Sequence, residues 1–344
     1  MAGFIYNRMS WMAGLSRPAR TTIKLPRGGF DLTLILIGHE VGRTEVRQQF
    51  LLQHEEPRHQ GLFAISDSAL TAKSTSEGGG DSYITLFTGI RKVHELKIQV
   101  GRPDILRNGH FTNNFYEAFR APAFLAFAGN ANEAQHVLTL IREDLENLQL
   151  SFRFGSQAGE PKGAIIIPRR AYNPMNENGY QCSEGTFDPD QVQHLYTADL
   201  FVSIVAQAIQ TALQSSIEYN RTNSYPPTLS TYAFGIWCPV SRQHKLYRLT
   251  PRSTIIDGRL IFVATPEVVP ENKVLALGTE IVVNDLPIQE TYDKALAAGE
   301  SPAKAMAALL DAAVDKQFAE FNGRPVDRPI TRYHLKESLF RELR

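Results

Sequence analysis

The sequence predicts an α+β fold in which two antiparallel sheets pack face to face and helices cover the outside. Three observations predict it. Short continuous β-branched and aliphatic runs are bounded by glycines, which marks buried strands. Three longer segments instead repeat their apolar residues every three or four positions, as amphipathic helices do. The resulting order is strands, a helix pair, strands, a helix and a final strand, not the strict alternation of a parallel doubly wound sheet.

In chain order, Leu32–Ile37 is an unbroken aliphatic run ending at Gly38, and Gly61–Ser66 is a second buried strand. The polar, charged stretch Glu40–Gln60 between them reads as a surface excursion. Ser74–Asp81, with three consecutive glycines, reads as a loop leading into the strand Tyr83–Phe87, and Ile90–Ile98 follows as another strand. Ala123–Ala128 is apolar throughout and stops at Gly129-Asn130. Ala134, Val137, Leu138 and Ile141 then recur at helical spacing to about Leu148.

Ser151–Gln193, rich in Gly, Pro and Asn, reads as an insertion carrying one strand, Ala164–Ile167. A second helix covers Tyr196–Tyr219. Strands are expected around Tyr232–Trp237, Lys245–Leu249, Leu260–Ala264 and Val274–Leu277. Ser301 is the N-cap and Pro302 the first turn of a third helix, with Met306, Leu309, Leu310, Ala313 and Phe318 on its apolar side. A last strand, Ile330–Leu335, precedes a charged tail. The domain reading is an N-terminal extension or pro-segment over 1–31 and one domain over 32–344.

Composition limits the function classes. At 344 residues and 43% hydrophobic content the chain can bury a core without staples. Its 36 Lys plus Arg balance 36 Asp plus Glu, which disfavours a nucleic-acid or anionic-lipid partner. Cys182 and Cys238 are the only cysteines and have no metal-site spacing, which fits a reducing, cytoplasmic setting and no metal. Apolar runs such as Leu32–Ile37 and Ala121–Ala128 fall well short of the roughly 20 residues of a membrane span. The glycines at 78–80 lack the lysine and helix of a phosphate loop, so no nucleotide cofactor is expected. His94, His110 and His136 stand singly and are assigned no site.

Several segments, in order, resemble the proteasome β-subunit superfamily and most closely its bacterial ancestral β-subunit (Anbu) branch. Gly61-Leu-Phe-Ala-Ile-Ser-Asp-Ser68 is similar to that family's second strand and Ile90-Arg-Lys-Val-His-Glu-Leu96 to its lysine strand. Phe127-Ala-Gly-Asn-Ala-Asn-Glu-Ala-Gln-His-Val137 resembles its glycine turn and first helix. Ala264-Thr-Pro-Glu267, Leu277-Gly-Thr279 and Leu286-Pro-Ile288 resemble a later strand-and-loop block, and Val326-Asp-Arg-Pro-Ile330 the start of its last strand. The shared order over 32–339 is the specific part; each block alone is common.

The resemblance implies a four-layer αββα sandwich of the N-terminal-nucleophile hydrolase type, with threonine chemistry. A threonine at a freed chain terminus attacks a carbonyl through its hydroxyl, while its own α-amine, of pKa about 8, takes the proton. Carried over by position, Thr33 is the nucleophile, Lys92 the charge beside it, Asp67 the residue holding the lysine, and Gly129 the oxyanion donor. Phe127 and Ala131 would line the pocket for the residue before the cut. A self-assembled ring, stack or spiral and a peptide or protein substrate are implied; an ATP-dependent unfoldase partner is left open.

Two departures stand beside this. Phe30-Asp31-Leu32 precedes Thr33 where pro-segments of the family end in glycine, and until that bond is cut the amine is an amide. The later helix end reads Ala319-Glu-Phe-Asn-Gly-Arg-Pro325, with only Glu320 or Asn322 for an acidic slot and no serine. Thr21-Thr22 is a rival pair, but Pro26 interrupts the strand that would follow. A peptidase, a non-catalytic structural subunit of the same fold, and a chamberless amidase are therefore all carried forward.

Overall fold

The structure is a computed structural model and describes residues 33–42, 58–75, 81–154, 161–171, 173, 186–220, 229–256, 259–278, 283–320 and 326–343. The expected N-terminal extension over 1–31, most of the Glu40–Gln60 excursion, the glycines at 78–80, Thr21, Thr22, Cys182 and Asn322 lie outside the described residues.

The first half of the chain contains β1 (Leu34–Gly42), β2 (Arg58–Ser66), β3 (Leu70–Thr75), β4 (Asp81–Phe87), β5 (Val93–Ile105), β6 (Phe111–Ala128) and α1 (Ala131–Leu145). Next come β7 (Leu148–Phe154), β8 (Pro161–Pro168), the short α2 (Pro189–Val192), α3 (Ala198–Asn220), β9 (Thr231–Cys238), β10 (Gln243–Ile256) and β11 (Arg259–Val268). The chain finishes with β12 (Leu275–Gly278), α4 (Ile288–Ala298), α5 (Pro302–Glu320), β13 (Thr331–Lys336) and β14 (Leu339–Leu343).

The chain is α+β with two large sheets. One has five strands in the order β12-β1-β2-β13-β14, the other seven in the order β11-β10-β9-β6-β5-β7-β8, and β3 with β4 forms a separate ribbon. One expectation needs correcting: the seven-stranded sheet is not wholly antiparallel, because β7 joins β5 in parallel through Val100↔Leu148 and Gly101↔Gln149.

Side-chain alternation explains why two strand segments read as unbroken apolar runs. Ile35 and Ile37 of β1 face the space between the sheets, where they meet Phe124, Ala126 and Ala233. Leu34 and Leu36 face the other way, onto Tyr292 of α4 and Met306 and Leu310 of α5. On β6, Phe124, Ala126 and Ala128 join the inter-sheet core, whereas Ala123, Leu125 and Phe127 pack under α1 and α3. A strand covered on both faces has no solvent side to make polar. Each fully buried Leu, Ile or Phe adds about 1.5–3 kcal/mol before entropy is counted.

α3 is long and apolar enough over Ala198–Ile217 to cross a membrane by length and composition. Its Phe201, Val205, Ile209 and Leu213 are fully buried in the core shared with α1 and the seven-stranded sheet, so its apolar face is occupied by the protein itself. Cys238 is a buried free thiol.

α5 starts where expected. The Ser301 hydroxyl accepts from the Lys304 amide at 3.4 Å and donates to Glu40 Oε1 at 2.5 Å, and Glu40 Oε2 accepts from the Ala303 amide at 3.1 Å. The buried Glu40 thus ties the end of β1 to a helix N-terminus, where negative charge is favoured. Glu40→Ala is expected to lower stability by about 1–2 kcal/mol in urea unfolding, since it leaves the Ala303 amide unsatisfied.

Candidate active site

Asp67 follows the last residue of β2, and its amide donates to Leu34 O at 3.2 Å, extending the β1–β2 ladder by one step. That places its carboxylate, with no exposed surface, under the start of β1. Lys92 immediately precedes β5 in the other sheet and reaches across to it: Lys92 Nζ donates to Asp67 Oδ1 at 2.7 Å. The same oxygen accepts the amide of Leu34, the residue after Thr33, at 2.9 Å, and Oδ2 accepts the Ala69 amide at 3.1 Å. One carboxylate therefore joins the lysine of one sheet to the first strand of the other.

The pairing of Asp67 with Lys92 that the resemblance implies is present, and it is buried rather than on the surface. Their side chains are 0% and 3% exposed. Burial pushes the Asp67 carboxyl up and the Lys92 ammonium down from their ordinary values, and each charge opposes the other's shift. Such a pair holds its charges only because both partners are present.

Thr33 is buried, and its carbonyl sits against Gly278 of β12. A Cβ on Gly278 would lie 1.7 Å from Thr33 O, and Gly278 has φ +138°, a conformation that side chains rarely adopt. The end of β6 is held to the lysine by the Phe127 amide, which donates to Lys92 O at 3.1 Å. Two residues on, Gly129 (φ +129°) turns the chain into α1, whose N-cap Asn130 accepts the amides of Asn132 and Glu133 at 3.0 and 3.3 Å. The structure thus brings the start of the Thr33 strand, Asp67, Lys92 and the strand leading to Gly129 into one hydrogen-bonded set.

The proposed pocket residues differ from one another. Phe127 is 6% exposed, with its ring in the core under α1 and α3 and stacked on His94 at 5.7 Å. Ala131, the first residue of α1, is half-buried.

Residues that sequence reasoning missed surround this set. Ser230 has no exposed surface and lies against Gly129, so that a Cβ on the glycine would come within 2.8 Å of Ser230 Cα and Oγ. Its hydroxyl donates to Asn130 O at 3.4 Å, while Glu133 Oε1 accepts both the Ser230 amide (3.1 Å) and the Tyr232 hydroxyl (3.3 Å). Ser68, buried beside Asp67, has a hydroxyl without a hydrogen-bond partner among the described residues. Its amide donates to Asp327 O at 3.4 Å, which brings the buried Asp327, beyond α5, to the site. Glu320 closes α5, while the buried serines come from β2's end and the start of β9 instead of the helix end. Only its place just before the apolar strand Tyr232–Trp237 could have signalled the position of Ser230.

His94 adds a testable electrostatic consequence. Burial, with Arg142 next in size, lowers its pKa to about 4. An unfolded histidine, near 6.5, binds its proton first, so this contribution to stability is full above about pH 6.5 and is lost as pH falls towards 4. The wild-type chain is expected to lose about 2 kcal/mol more than His94→Phe across that window, read from urea midpoints at each pH.

No known family model matches the chain, and no curated protein matches its sequence.

Proposed function

We propose that the chain is a proteasome-type β-subunit, a four-layer αββα sandwich of the N-terminal-nucleophile hydrolase fold, and acts as a threonine peptidase or amidohydrolase in a self-assembled oligomer. The observation that carries this reading is the Asp67 carboxylate, which grips the Lys92 ammonium and the Leu34 amide with one oxygen. A lysine anchored in this way supplies positive charge beside the Thr33–Leu34 peptide just before β1, which a threonine nucleophile with its own amine as base requires.

The chemistry then runs as follows. Cleavage between Leu32 and Thr33 frees the Thr33 amine. That amine takes the hydroxyl proton as Thr33 Oγ attacks the substrate carbonyl, and the Gly129 amide stabilises the oxyanion. The amine returns the proton to the leaving nitrogen, giving an acyl ester on Thr33. Water, deprotonated by the same amine, releases the acid. Ala131 bounds the pocket for the residue before the cut, and Phe127, its ring in the core under α1 and α3, backs the turn that shapes it. The substrate is a peptide or protein in the cytoplasm, and the reading needs no metal or cofactor.

The test is intact-mass measurement of the purified chain before and after exposure to a peptide vinyl sulfone. The mature chain is expected to begin at Thr33 and to gain one adduct, which Thr33→Ala abolishes. Retention of the residues before Thr33 overturns the enzymatic reading. A second reading, a non-catalytic structural subunit of the same fold, is favoured by the Phe30-Asp31-Leu32 junction and the tight burial of Thr33 against Gly278. It predicts assembly without processing, and it fails if Lys92→Ala removes a measurable peptidase activity while assembly persists.

A further inference from the structure

Four exposed apolar side chains gather on one hairpin. Ile255 is 74% exposed on β10, and Leu260, Val263 and Val268 are 38%, 40% and 59% exposed on β11. β11 ends the seven-stranded sheet, with no further strand beyond it among the described residues. Only one of its faces is covered: Phe262 and Ala264 pack into the core under α3, while Val263 and Thr265 face away.

The free edge is also legible in the backbone. The Val269 amide donates to Leu246 O of β10 at 2.8 Å, and the ladder between the two strands is regular from Arg259 to Val268. Alternation therefore points the amide and carbonyl groups of Leu260, Phe262 and Ala264, and the carbonyl of Pro266, away from the sheet. Pro266 has no amide to leave unsatisfied there.

We infer that β11 pairs antiparallel with β11 of a second copy of this chain, about a two-fold axis through Val263. The strand is complementary to itself in that register. Arg259 stands opposite Glu267 of the copy, Ile261 opposite Thr265, and Val263 opposite itself, all on one face. On the other face Leu260 meets Pro266, with Val268 on the diagonal, and Phe262 meets Ala264. Neither Arg259 nor Glu267 makes an ion pair among the described residues, although Arg248 of β10 stands across from Glu267, and in the pair of copies each gains an opposite charge directly across the new seam. Opposite charges directly across a strand pair are favourable and like charges unfavourable, so the two ends of β11 select this register over a parallel one. The outward groups of Phe262 and Ala264 bond reciprocally with those of the copy, and the two seven-stranded sheets become continuous. The partner is thus a second copy, and its contact surface is the outer edge of the large sheet, three strands along from β6, which leads to Gly129.

The test uses the full chain in analytical ultracentrifugation. Wild type is expected to contain a two-chain step. Arg259→Glu alone and Glu267→Arg alone each raise its dissociation constant by about tenfold or more, because both symmetric contacts become repulsive. The double variant Arg259→Glu with Glu267→Arg restores it to within a few-fold of wild type. These residues are exposed on an edge, so the variants fold. A non-hydrogen-bonded antiparallel pair sets Cα atoms about 4.5 Å apart, within disulfide range. Val263→Cys is therefore expected to give a disulfide-linked two-chain band on mild oxidation, over the wild-type background of Cys182 and Cys238. A purely monomeric wild type, single reversals without effect, a double variant no better than the singles, or no added band from Val263→Cys each overturns the inference. Vinyl sulfone capture on the same variants bears on the hydrolase reading alone.

Discussion

Lys92→Met is expected to cost about 3–5 kcal/mol of stability, the largest loss from any single side-chain removal at the site. The reason is the carboxylate left behind. Asp67 has no exposed surface, and the amides of Leu34 and Ala69 cannot replace the neutralising charge of the lysine. The variant should also show a stronger pH response, because Lys92 no longer opposes the upward shift of Asp67. Burial raises the folded-state pKa of Asp67, so without Lys92 the folded chain holds that proton more tightly than the unfolded chain does. Its stability is then greatest at acid pH, where Asp67 is neutral, and is lost as pH rises through the raised value. Adding Asp67→Asn to Lys92→Met should recover a substantial part of the loss, because the uncompensated charge has gone. Urea midpoints for the two single variants and the double measure the coupling directly. A Lys92→Met midpoint equal to wild type would mean that water reaches the pair.

Gly278→Ala is expected to cost about 4 kcal/mol, combining backbone strain with an overlap that has nowhere to relax. The added methyl would sit 1.7 Å from Thr33 O and 2.7 Å from Thr33 C, main-chain atoms that cannot rotate aside. β12 would have to part from β1 at Leu34↔Gly278, loosening the very residue proposed to carry the nucleophile. Gly163→Ala is the matched control. Gly163 has almost the same φ, +136°, but a Cβ there meets nothing within 4 Å, so it carries the strain alone. Calorimetry on both variants separates the two contributions, and equal losses would refute the steric account.

The parts of this fold legible in the sequence are those whose residues face apolar surroundings on both sides. Ala123–Ala128, Gly129 and the helical spacing of Ala134 to Ile141 could be read locally because strand, turn and helix each carry their own signal. Phe111–Arg120 could not, since this half of β6 pairs only with β5 and exposes Asn113, Asn114, Glu117 and Ala118, so that no alternation survives. β14 was hidden in a charged tail for a similar reason: Arg341 and Glu342 are exposed on an edge strand. α4 was missed because its inward residues, Ile288, Tyr292 and Ala295 with Leu296 partly buried beside them, are too few over one short helix to stand out as a periodic stripe. The Ser151–Gln193 stretch, read as an insertion, supplies most of β7 and all of β8 on the edge of the large sheet. At the site, Asp67 and Lys92 stood out through a resemblance spanning distant blocks. Ser230, Glu133 and Asp327 join them only through tertiary contact.

The five-stranded sheet places β1 between β12 and β2, and β2 between β1 and β13. The earliest strands of the chain are therefore flanked by its latest ones, with the whole seven-stranded sheet encoded in between. During synthesis β1 and β2 can pair with each other but must wait, apolar faces uncovered, until the ribosome has released residues beyond Lys336. Under the proposed function, a cut before Thr33 that depends on the finished sheet cannot precede the release of β13.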